Sequence, residues 1–124
     1  MKILDTRQAI FAFSQGEKIK AGLIWASQLI GMVDSIFGSG RNETKQVGRA
    51  LVEMIRQDVR LASAIAKDEI WDEVDKAIDR ALVMINSGVM ADSVPHLTTA
   101  LSHVTTIVQR AMQFLDEQGM LKEG

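Results

Sequence analysis

One acid is oddly placed. In the segment ALVEMIRQDVRLASAI, residues 50–65, apolar side chains recur at helical spacing, and Asp58 falls in the middle of their stripe. An ionised carboxylate inside an apolar face is costly unless it is paired or well hydrogen-bonded. Three readings follow. The acid makes a structural polar contact or is in fact exposed; or it meets a cation or hydroxyl across a subunit interface; or it anchors a small basic ligand or cation. The third reading gathers Asp58, Met54 and Trp25 as a candidate ligand-binding set. Compensating groups within the chain are Thr98, Thr105, Ser27, Gln28 or an arginine folding in from an edge.

His96 and His103 are the next candidates. Seven residues on a helix correspond to about 10.5 Å of rise, so the two imidazoles cannot share one ion. They fall with Ile107 and Phe114 on a second, partly apolar stripe of a segment, 93–109, that carries no formal charge. Such a helix is buried on more than one side, either centrally in a bundle or against another subunit. On an earlier helix, Ile24 stands among small groups that include Ser27 and Gly31. Ile24, His96, His103, Ile107 and Phe114 therefore form the expected partner-binding set.

Charge divides between two neighbouring segments. Lys45, Arg49, Arg56, Arg60 and Lys67 make a basic stripe, answered by Asp68, Glu69, Asp72, Glu73, Asp75 and Asp79. The plain reading is a solvated surface; charge matching between copies and phosphate binding by Arg49, Arg56 and Arg60 are alternatives. Nucleic acid is a poor fit, because no aromatic side chain interleaves the arginines and the net charge is −2.

Conventional catalysis has few groups to use. Without cysteine there is no thiol nucleophile and no cysteine-held metal. No Glu-x-x-His supports a bundle-type di-metal centre, and Gly38-Ser39-Gly40-Arg41 lacks the spacing and lysine of a phosphate loop. A nucleophilic serine would need one of the two histidines as its base. Neither a metal nor a cofactor is expected.

These residues must be positioned by helices. Apolar periodicity of three and four dominates, and strand alternation is nearly missing. The expected fold is all-α: an up-down bundle of four main helices, about 17–37, 43–66, 69–86 and 93–118, plus a short N-terminal helix or arm. A phase slip places a break at Gly16, dividing the single domain into an arm (1–16), a bundle (17–119) and a tail (120–124). Asn42 and Asp92 or Ser93 are expected caps, and glycines after Phe37 and Ser87 are expected stops. Between Ala66 and Asp68 the apolar face changes phase without glycine or proline. A tight turn capped by Asp68 is expected there, the alternative being one long helix swapped between subunits.

At 47% hydrophobic and 24% charged residues, the composition is that of a globular protein. The N-terminus reads as no export signal, since Asp5 and Arg7 interrupt its apolar run, and the uncharged stretch 21–33 is short of the ~20 residues that span a bilayer. The expectation is a cytoplasmic, non-enzymatic bundle that self-associates, as a homodimer, and binds a partner protein. A ligand-binding bundle centred on Asp58 and a nucleic-acid accessory protein are the alternatives.

Overall fold

The computed structural model describes residues 5–38 and 40–119. It is an all-α bundle of four helices: α1 (Thr6–Phe37), α2 (Asn42–Ile65), α3 (Ile70–Asn86) and α4 (Ser93–Glu117), with a 3₁₀ turn, Met90–Asp92, leading into α4. Each helix packs on its neighbours in sequence and α4 closes back onto α1, which is up-down order. The C-terminal tail, 120–124, and the first four residues of the expected arm lie outside the described residues.

Local chemistry sets most of the ends. Asp5 accepts the Gln8 N–H at 2.7 Å and caps α1. Gly38 (φ 84) and Gly88 (φ 81) take the left-handed backbone that other residues avoid, ending α1 and the turn after α3. Two expected caps are corrected. Asn42 is the first residue of α2, not its cap, and Arg41 precedes it without a side-chain capping bond. Asp92 also makes no capping bond; Ser93 instead donates to the Met90 carbonyl at 2.6 Å, tying α4 to the 3₁₀ turn.

The expected break at Gly16 is absent. α1 runs unbroken through it, so the arm's described residues belong to the bundle. Gly16 is buried where α1 meets α4, and a Cβ built there would lie 2.4 Å from Val108 Cγ2. The glycine permits a close approach of two backbones.

The turn between α2 and α3 is real, and it carries an acid that the fold encloses. Asp68 Oδ1 accepts the Ile70 N–H at 3.0 Å, as expected of a cap. Both carboxylate oxygens also accept from Arg110 Nη1 on α4, at 2.9 and 3.1 Å. The Asp68 side chain is only 3% exposed. Beside it, buried Trp71 donates its indole N–H to the Ala66 carbonyl at 2.9 Å, satisfying a group that the end of α2 would leave unpaired. Trp71→Phe keeps most of the apolar bulk and removes that donor. It is expected to cost about 1–3 kcal/mol, read as a lower urea midpoint with unchanged slope.

The core joins all four helices, with Ile19, Leu23 and Ile30 meeting Val52, Val59, Trp71, Ile78, Ile85, Leu97, Val104 and Ile107 around Met90.

Candidate functional site

Helix α2 carries two apolar stripes, and of the core face expected from sequence, centred near Met54 and Asp58 and flanked by Leu51, Ile55, Leu61, Ala62 and Ile65, only Ile55 and Ala62 are buried. Val52, Ile55, Val59 and Ala62 point inward, whereas Met54 is 64% exposed and the Asp58 side chain 36%. Small residues decide which stripe turns in. Buried Thr44, Gly48, Ala62 and Ala66 share the inner side, and Gly48 lies against Met90 and Ile85 so closely that a Cβ would collide with Met90 Cε. The bulkier stripe, Val47, Leu51, Met54, Leu61 and Ile65, is left on the flank, with Asp58 in its line.

Helix α1 presents a matching stripe. Trp25, Leu29, Met32 and Ile36 recur at spacings of four and three, and Lys18 and Gly22 continue the series toward the N-terminus. Trp25, Met32 and Ile36 are exposed; Leu29 is half-buried. The helices run antiparallel. Lys18 pairs with Asp58, the Cβ position of Gly22 lies 3.6 Å from Ile55, and Val33 and Phe37 share a cleft with Thr44 and Val47. The two stripes therefore border one outer face. At one end is the ion pair, Lys18 Nζ to Asp58 Oδ1, at 3.7 Å; at the other is the apolar cleft, about 210 Å³, with Arg41 and Glu43 at its rim. Of thirteen large hydrophobic side chains exposed among the described residues, six lie between these ends, and Leu61 and Ile65 continue the α2 stripe beyond the ion pair. That concentration is what marks an interaction surface, since scattered exposed apolar residues are ordinary.

No family model, curated protein or solved structure matches the chain. What the face does must follow from its own side chains. Trp, Phe and Met supply large, adaptable contact area, and charge is confined to its ends, the composition typical of the centre of a protein interface.

The other expected sites fare differently. Asp58, Met54 and Trp25 share the outer face; neither this cleft nor one of about 220 Å³ between α2 and α3 includes them. Asp58 is accessible and has Lys18 as its partner, in keeping with the first of its three readings, but with none of Thr98, Thr105, Ser27, Gln28 or an arginine as the compensating group. The partner-binding stripe on α4 is likewise not free. Ile107 is 1% exposed, Phe114 packs on the core, and His96 and His103 are half-buried. The reason is position: α4 packs against both α1 and α3, which buries Ile107 and partly covers the other three. Ile24 is exposed, but one residue from Trp25 is a turn of about 100°, which takes it off the shared face. Gly31 has no neighbour within 4 Å at its Cβ position, so among the described residues no helix lies against α1 at that point.

The arginine stripe is also occupied within the chain. Arg49 donates to Asn86 Oδ1 at 2.7 and 3.0 Å. Arg56 forms ion pairs with Glu53, Asp75 and Asp79, and Arg60 reaches Asp75 at 3.9 Å. Asp75 and Asp79 of α3 pair with Arg56 and Arg60, and Arg49 is held by the Asn86 amide, which weakens the case for phosphate binding by these three. Among the described residues no group of three or more His, Asp or Glu side chains is placed to hold a metal ion. No helix among them is long and apolar enough to cross a membrane.

Sequence reasoning missed the most enclosed acid, Asp68, as a site of charge pairing. A signal was present: Arg110 is the first charged residue after the uncharged run of α4, and a cation on such a helix needs an acid within reach.

Proposed function

We propose that this chain is a non-enzymatic, cytoplasmic helical module that works by self-association, and that the α1–α2 outer face is its docking surface. The observation that carries the reading is the pair of apolar stripes at heptad spacing on adjacent antiparallel helices, left uncovered by the other described residues. Such stripes are built to interlock with another pair of helices near a +20° crossing. A face about 27 Å long and two helices wide gives roughly 1,100 Å² buried over both copies, close to the lower limit for a specific interface. A dimer of micromolar rather than nanomolar affinity is the expected consequence. The same face would take an apolar helix of a partner protein.

Size-exclusion chromatography with light scattering at micromolar concentration checks this. A mass of twice 13.7 kDa is expected for the unaltered chain. Met54→Glu places a charge in the middle of the face at an exposed position, so it is expected to give a folded monomer, with dissociation strengthened at least tenfold. A strict monomer for the unaltered chain, or an unchanged dimer for Met54→Glu, overturns the reading.

A further inference from the structure

We infer that the Lys18–Asp58 pair sets how two copies meet, with α1 of each laid over α2 of the other. This rests on the self-association reading, and it goes further by fixing the geometry and the residues that select it.

A closed pair of identical chains meets about a two-fold axis, and for two faces pressed together that axis lies in the plane of contact. Two simple directions exist. With the axis across the helices, each copy's ion-paired end is carried onto the apolar cleft end of the other. Lys18 and Asp58 then lose water against Val47 and Phe37, beside an Arg41–Glu43 pair whose charges are already matched within the chain, which opposes association.

With the axis along the helices, every residue keeps its level while α1 and α2 exchange sides. Lys18 of one copy comes to face Asp58 of the other, and the reverse, because the two already sit at the same level, 3.7 Å apart. Four charges then alternate in sign around the axis, each cation between two anions. The apolar stripes of α1 and α2 still oppose one another along the rest of the face, and each α1 remains antiparallel to the α2 it covers. The pair suits a recognition role because both side chains are accessible, Lys18 at 62% and Asp58 at 36%. Within one chain, an exposed pair of this kind contributes little to folding.

Charge reversal tests the arrangement. Lys18→Glu makes the patch wholly acidic and Asp58→Lys makes it wholly basic, so each variant alone repels its own copy. Both are expected to fold with far-ultraviolet circular dichroism and thermal midpoints close to the unaltered chain, and to be monomeric where the unaltered chain is dimeric, with at least a tenfold weaker dissociation constant. Mixed in equal amounts, they are expected to recover association as one-to-one heterodimers, seen as an intermediate mass by native mass spectrometry. The doubly reversed chain, Lys18→Glu with Asp58→Lys, is expected to dimerise with itself. Single variants that dimerise as tightly as the unaltered chain, or a mixture that stays monomeric, overturn the inference while self-association stands. A monomeric unaltered chain removes the self-association reading itself.

Discussion

Replacing Arg110 by methionine is expected to lower the unfolding free energy by about 3–5 kcal/mol and the thermal midpoint by roughly 10–20 °C. Methionine keeps most of the stem's packing, so the loss isolates the guanidinium. Without it, Asp68 retains only the Ile70 N–H, and a carboxylate 3% exposed is left without its counter-charge. Asp68→Asn is expected to cost less, about 1–2 kcal/mol, because an amide oxygen still accepts from Ile70 and Arg110, at 28% side-chain exposure, can turn toward water. The double variant is expected to be more stable than Arg110→Met alone, since no charge then remains enclosed at the corner. Urea unfolding followed by circular dichroism gives all three values and their coupling. A loss below about 1 kcal/mol for Arg110→Met would mean that water reaches the corner and that the pair is dispensable.

Gly16→Val is the second large effect, expected at about 3 kcal/mol from overpacking. Its Cβ would start 2.4 Å from Val108 Cγ2, and a β-branched neighbour has little freedom to move aside. Either α1 shifts away from α4 or both side chains leave their preferred rotamers. Gly48→Ala is the informative contrast. Its Cβ would lie 2.1 Å from Met90 Cε, but that methyl ends a flexible side chain and can rotate away. The gain of about 1 kcal/mol in helix propensity then offsets most of the crowding. Thermal unfolding of both variants, with Val108→Ala added to Gly16→Val as a rescue, checks the assignment. Equal destabilisation at the two glycines would contradict it.

The contrast between these glycines and Gly88 explains what the sequence could reveal. Gly88 follows Asn86-Ser87 at the end of a periodic segment, and a glycine there announces a left-handed residue without any knowledge of the partner helix. Gly16 interrupts a pattern in the same visible way, yet its cause is Val108, ninety-two residues away, and local periodicity cannot distinguish a break from a close approach. The α2–α3 turn was legible because the apolar phase changes across it and Asp68 is a natural cap. The inward side of α2 was not. Two stripes compete there, the larger side chains give the stronger signal, and the selection is made by Gly48 and Ala62, which let α2 settle against Met90 and the rest of the core. Asp58 was therefore correctly seen as lying among Leu51, Met54 and Leu61, but on the side that the bundle leaves uncovered. Ile107 is the converse case: the uncharged run of α4 left open a central helix or a subunit contact, and α4 has neighbours on both flanks, α1 and α3, with Ile107 buried between them.

The corner acid also bears on how the chain acquires its shape during biosynthesis. Asp68 emerges from the ribosome forty-two residues before Arg110, and Gly16 waits still longer for Val108. Both gaps are filled by one helix: α4 carries the counter-charge for Asp68 and the side chain that occupies the Gly16 slot, so neither contact can form until α4 has been made.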